Sequence, residues 1–130
     1  MFHHVLVSLD GSTGSECALP YAIDIAATYG ARLTALGVPI PMEWEQVEEY
    51  LETKVAPLQA EGIVKIDTAT ALGEPGPAIV AYARSSDVDM IVMGTQGKGA
   101  RADYRVGSIA QQVLERAPCP VLMVRIPEGG

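Results

Sequence analysis

Val88-Asp-Met-Ile-Val-Met-Gly94-Thr-Gln-Gly97, then nine residues, then Gly107-Ser-Ile-Ala-Gln-Gln-Val-Leu-Glu-Arg116 is the stretch whose reading decides the fold. The run Val88 to Met93 is short, apolar and β-branched at its centre, which predicts a buried strand ending at Gly94. Ser108 to Arg116 places Ile109, Val113 and Leu114 on one helical face. Ser108 sits at or beside the helix start, where its hydroxyl can satisfy an orphan amide. A strand, a glycine-bearing connection and a helix in this order turn first-turn amides, and a dipole of about half a charge, toward an anion. Glycines at 94, 97 and 107 let backbone N–H groups come closer than a Cβ would allow.

Lys98, Arg101 and Arg105 stand against Asp103 alone, making this connection the main electropositive island of a chain whose net charge is -7. On spacing alone the same residues read equally as a solvated surface loop. The mononucleotide loop Gly-x4-Gly-Lys-Ser/Thr is absent, as is a full Gly-x-Gly-x2-Gly fingerprint, which argues against a standard P-loop GTPase or a Rossmann dehydrogenase.

Working outward, Val5 to Leu9 and Arg32 to Val38 read as strands separated by an amphipathic helix from Ser12 to Tyr29 that ends at Gly30. Strand, helix, strand implies a parallel crossover. Glu43 to Glu61 predicts an acidic helix stopped at Gly62, which Pro57 should kink or divide. Ile63 to Ala71 predicts a third strand and Ala78 to Arg84 a short helix, with Pro77 in its first turn. Pro118-Cys-Pro120 ends the following helix, and Val121 to Arg125 forms the last strand. The fold expected is α/β, an open five-stranded, mostly parallel sheet with helices on both faces. Ligands of such sheets bind outside the carboxyl ends of the strands, where strand order reverses. Asp10, the Gly37–Val38 pair and the glycine loop all fall at such ends.

At 130 residues and 48% hydrophobic content, the chain supports one domain over 1–130. The net charge, with a pI near 4.7, argues against a nucleic-acid or anionic-membrane surface. The opening Met-Phe-His-His lacks a basic leader and no apolar run is long enough to span a bilayer, so a cytoplasmic protein is expected. Cys17 and Cys119 belong to no Cys-x2-Cys or Cys/His cluster and are expected reduced and buried.

Asp10 can serve a ribose, an adenine or a metal near phosphates, and can equally close an Asx-turn with Gly11 and Ser12. Ser12 and Thr13 read as helix caps. His3 and His4 are adjacent and point to opposite faces of a strand, which argues against a shared metal. Trp44 reads as a packing anchor. Glu74, Asp103 and Ser108 lack a positioned base, so acyl transfer is excluded; hydrolysis through Asp10 and the loop would be slow at most.

The chain resembles the universal stress proteins over almost its whole length. Val5-Leu-Val-Ser-Leu-Asp-Gly-Ser12, Ala18-Leu-Pro-Tyr-Ala22, Gly73-Glu-Pro75, Asp89-Met-Ile-Val-Met-Gly-Thr95 and Ala117-Pro-Cys-Pro-Val-Leu-Met-Val-Arg125 are similar to that family's pattern. Its ATP-binding branch carries Gly-x2-Gly-x9-Gly-Ser/Thr, which Gly94, Gly97, Gly107 and Ser108 match without insertion. The resemblance implies an adenine nucleotide alpha hydrolase-like fold holding ATP or another adenine nucleotide, with or without Mg2+. Its phosphates would lie on Gly94, Gly97, Lys98, Gly107, Ser108 and Ile109, with Asp10 near the adenosine and the Val38 backbone at the adenine. Gln96 stands where many members carry His, Ala100 to Val106 is more polar than usual, and the section after the second strand is short. The resemblance also implies a homodimer through antiparallel pairing of Val121, Leu122, Met123 and Val124, and a stress-response or regulatory role toward an unknown protein partner. A nucleotide-free scaffold binding an acidic partner through Lys98, Arg101 and Arg105 is the alternative.

Overall fold

The computed structural model describes residues 2–38, 44–62, 64–95 and 106–125. Five strands, β1 (His4–Ser8), β2 (Arg32–Gly37), β3 (Ile66–Thr70), β4 (Met90–Gly94) and β5 (Val121–Val124), form one sheet in the order β3-β2-β1-β4-β5. Every pairing is parallel, with Val5 opposite both Leu33 and Met90. Strand order therefore reverses between β1 and β4.

Helices on both faces explain why the central strands are continuous apolar runs rather than alternating ones. Val5, Val7 and Leu9 point toward α2 (Ala18–Tyr29) and α3 (Trp44–Glu61), where they pack with Ala18, Ala22, Val47, Leu51 and Val55. Leu6, Leu36, Ile91 and Met93 point the other way, toward α4 (Pro75–Ser85) and α5 (Ser108–Arg116). The two faces of β1 thus anchor two separate cores. Ile66, Leu33 and Val92 extend the first core across the sheet.

The sequence predicts one helix from Ser12 to Tyr29, but the chain divides it at Cys17 into α1 (Thr13–Glu16) and α2. Pro20 supplies the reason: it offers no N–H to the Glu16 carbonyl, and its ring would crowd that group in an unbroken helix. At the third position of a new helix it is tolerated. Gly30 closes α2 as read, in the left-handed conformation at φ 64, and the Ala31 N–H reaches the Ala26 carbonyl at 2.8 Å.

Pro57 does not divide α3, which runs unbroken from Trp44 to Glu61. Pro57 and Thr53 are both exposed, so the Thr53 carbonyl that loses its partner meets water. Helix α4 starts at Pro75, three residues before the expected Ala78, because Pro75 takes the first helical position without sacrificing a hydrogen bond. Strand β4 starts at Met90 rather than Val88, since Asp87 turns the chain at φ 53 and Asp89 is engaged with the start of β1. Strand β3 starts at Ile66; Ile63, where it was expected to begin, lies outside the described residues. Among the described residues no helix is long and apolar enough to cross a membrane.

Candidate functional site

The parallel strands all end at one edge of the sheet, and the chain leaves each end differently. After β1, the Leu9 N–H still bonds the Leu36 carbonyl at 2.9 Å. The backbone then turns at Asp10, whose Oδ1 accepts the Ser12 N–H at 2.9 Å and the Ser12 hydroxyl at 2.5 Å. This is the expected Asx-turn. Gly11 sits at φ 87, a conformation that favours glycine. Ser12 caps α1 by accepting the Ser15 N–H at 3.0 Å, while the Ser15 hydroxyl donates to the Ser12 carbonyl and accepts the Asp10 N–H at 3.1 Å. Hydrogen bonds of one carboxylate and two serines thus shape the turn.

At the end of β2, α3 lies so close that a Cβ on Gly37 would come within 2.5 Å of Val47 Cγ1. Val38 follows, buried in the second core, and the Gly37 carbonyl takes the Ala71 N–H at 3.0 Å. Backbone therefore meets α3 where a side chain would have held it away.

At the end of β4, Gly94 is buried and Thr95 is 5% exposed. The Thr95 N–H donates to the Val124 carbonyl at 3.0 Å and its own carbonyl accepts the Gly107 N–H at 2.6 Å. Departure and return of the glycine connection are thus fastened at one point, where β4 ends beside β5. In that bond the Gly107 amide is given to the Thr95 carbonyl. Gly107 is the N-cap of α5 and Ser108 its first residue, and no side chain caps it, so the Ser108 hydroxyl does not play the capping role expected. The Ser108 and Ile109 amides fall in the first turn, where the helix itself provides no acceptor.

Asp10, Val38 and Gly94 stand at the ends of three adjacent strands, and Gly107, Ser108 and Ile109 return beside them. Gly97 and Lys98 lie outside the described residues, as do Gln96, Arg101, Asp103 and Arg105. Both histidines of the chain are at the opposite end of the sheet, His3 exposed and His4 buried. No imidazole base serves this edge. Among the described residues no three His, Cys, Asp or Glu side chains gather as a metal-binding group. Cys17 and Cys119 are free but only partly buried, against expectation: Cys17 lies at the junction of α1 and α2, and Cys119 in the bend between α5 and β5. Burial, and then the Asp89 charge, push the Cys119 thiol up from its ordinary range.

One group beside the site escapes a sequence reading. The Tyr50 hydroxyl of α3 donates to Glu16 Oε2 at 2.6 Å, and Lys54 Nζ holds Glu16 Oε1 at 3.1 Å. Burial raises the Tyr50 pKa well above its usual range, with the Glu16 hydrogen bond and the charges of Glu16 and Asp10 adding to it. The only signal in the sequence is Lys54 four residues after Tyr50, a spacing that brings both to one helix face.

Residues 1–125 match the universal stress protein family. The chain belongs to that family. A universal stress protein of Methanocaldococcus jannaschii is 33% identical over 144 residues, covering 98% of this chain and 85% of its own. The solved structure of UspA from Lactobacillus plantarum is 29% identical with a TM-score of 0.77, covering 95% of this chain and 98% of that one. A universal stress protein solved in complex with cAMP is 26% identical with a TM-score of 0.72, covering 95% of this chain and 97% of that one.

Proposed function

We propose that this universal stress protein binds an adenine nucleotide, ATP or a shorter relative, in the crevice where β1 and β4 diverge. The observation that carries the reading is the convergence of Asp10, Val38 and Gly94 at three neighbouring strand ends, with the glycine connection fastened to that edge by Thr95 and Gly107. The complex of a relative with cAMP supports the ligand class. Asp10 would face the ribose, the Val38 backbone would meet the adenine, and the phosphates would lie on Gly97, Lys98 and the Ser108 and Ile109 amides. A bound nucleotide would supply only charge and shape to be sensed. With both histidines at the far end of the sheet, any hydrolysis would be slow. The chain would work as one universal stress protein domain, a nucleotide-responsive regulatory module of the cytoplasm.

Calorimetry with ATP and Mg2+, together with nucleotide analysis of the heat-denatured supernatant of freshly purified protein, tests this. Binding to the wild type and its loss in Gly97→Val is the expected result; neither retained nor added nucleotide in the wild type rejects it.

Strand β5 ends the sheet with four apolar residues, all but Val124 only partly buried. A bare apolar edge invites pairing. We infer that β5 pairs with itself in a homodimer, and Met123→Lys should halve the mass measured by sedimentation. An unchanged mass would remove β5 from the interface.

A further inference from the structure

We propose that Tyr50 is a positioning residue for the nucleotide site, its hydroxyl clasping helix α3 to the Asp10-Gly11-Ser12 turn and so fixing the distance between Asp10 and Val38. The inference rests on the nucleotide reading above and names what sets the site's width.

Helix α3 touches both sides of the proposed adenosine position. On one side Val47 and Leu51 close over Gly37, immediately before Val38. On the other, Tyr50 reaches Glu16 at 2.6 Å, and the backbone N–H of Gly11 faces the same hydroxyl. Glu16 is the last residue of α1 and its own N–H bonds the Ser12 carbonyl at 3.0 Å, so a pull on Glu16 is transmitted to the turn. Lys54 holds the second oxygen of Glu16 and lies 5.9 Å from the centre of the Tyr50 ring. The carboxylate is thereby kept aimed at the hydroxyl.

The turn needs such an anchor. Helix α1 spans 4 residues, too short to hold itself together in water. Gly11 has more backbone freedom to lose than any other residue type. A turn that fluctuates must be ordered when ligand arrives, and that cost is taken from affinity. Charge-assisted, partly buried hydrogen bonds in series are suited to removing it beforehand.

Tyr50→Phe deletes the hydroxyl and keeps the ring. Amide exchange at Gly11 and Ser12, measured on the ligand-free chain, should quicken about tenfold, and calorimetry at 25 °C should show ATP binding weakened about five- to tenfold, as loss of one such hydrogen bond implies. Glu16→Ala should reproduce both effects. Glu16→Gln, which keeps an acceptor for the hydroxyl, should retain most of the affinity. Unchanged exchange at Gly11 in Tyr50→Phe overturns the clasp. Faster exchange with unchanged ATP affinity overturns the positioning role and leaves a purely structural contact. A wild-type chain that binds no ATP refutes the nucleotide reading and the affinity half of this proposal, while Gly11 exchange still decides whether the clasp orders the turn.

Discussion

At one end of the sheet, Asp89 accepts the His3 and His4 backbone N–H groups at 2.7 and 3.2 Å, and the His4 ring fits between the Ser86 carbonyl at 3.0 Å and the Thr34 hydroxyl at 2.7 Å. At the other end, the same strands run out through Gly37 and Gly94, with Gly11 just beyond β1, into connections that leave toward opposite faces. The first end satisfies its polar groups internally and from several elements at once. The His4 ring has a partner on each nitrogen in either tautomer, because Arg32 Nη2 stands 3.2 Å from Nδ1 when Nδ1 carries no proton. The second end is shaped by short turns, close backbone approaches and a clasp from α3. One end serves stability, and the other is free to serve a ligand.

Removing the buried ring at the centre of the first end sharpens that division most. His4 is 5% exposed, and His4→Ala leaves a cavity and strands the Thr34 hydroxyl, which together should cost about 3 kcal/mol of stability. Urea unfolding gives this value directly. ATP affinity at 25 °C should be unchanged in the same variant, provided it remains folded. A variant that keeps its stability, or that loses affinity while folded, would break the division between the two ends.

How much of this was legible in the sequence follows the range of the interactions involved. The central strands are legible because burial on both faces makes Val5 to Val7 and Ile91 to Met93 apolar without interruption. The Asp10 turn and the Ser12 cap are legible because donor and acceptor lie within a few residues of one another. The break at Cys17 was written in Pro20, but seeing it requires knowing that the helix had begun before Glu16, where the missing donor matters. The commitment of the Gly107 amide to Thr95 spans the whole glycine connection, and no pattern in the residues announces it. Tyr50 is harder still. Its partner Glu16 is 34 positions away, joined only by the packing of α3 on the strand ends, and an acidic helix with exposed Glu45, Glu48 and Glu52 reads simply as a solvated face.

Tyr50 also gives the comparison its finest test, because at the end proposed to take the ligand its titration is displaced by burial and by the carboxylates of Glu16 and Asp10. Burial, Glu16 and Asp10 all favour the neutral hydroxyl, against a smaller opposing pull from the Gly11 amide. In the unfolded chain the phenol ionises near its ordinary value of about 10. Above that pH the unfolded state releases a proton that the folded state keeps, so the unfolded state binds fewer protons and stability falls as pH rises. The contribution is fully present below about pH 10 and is lost progressively above it. Tyr50→Phe has no proton to release and lacks this part of the slope, so its stability should fall less steeply than that of the wild type in urea titrations between about pH 9 and 11. The difference is small, because the ring is only partly buried and solvent screens the carboxylates that act on it. Parallel curves for the two proteins would mean that the hydroxyl is as free in the folded chain as in the unfolded one, and α3 would then rest beside the Asp10 turn without holding it.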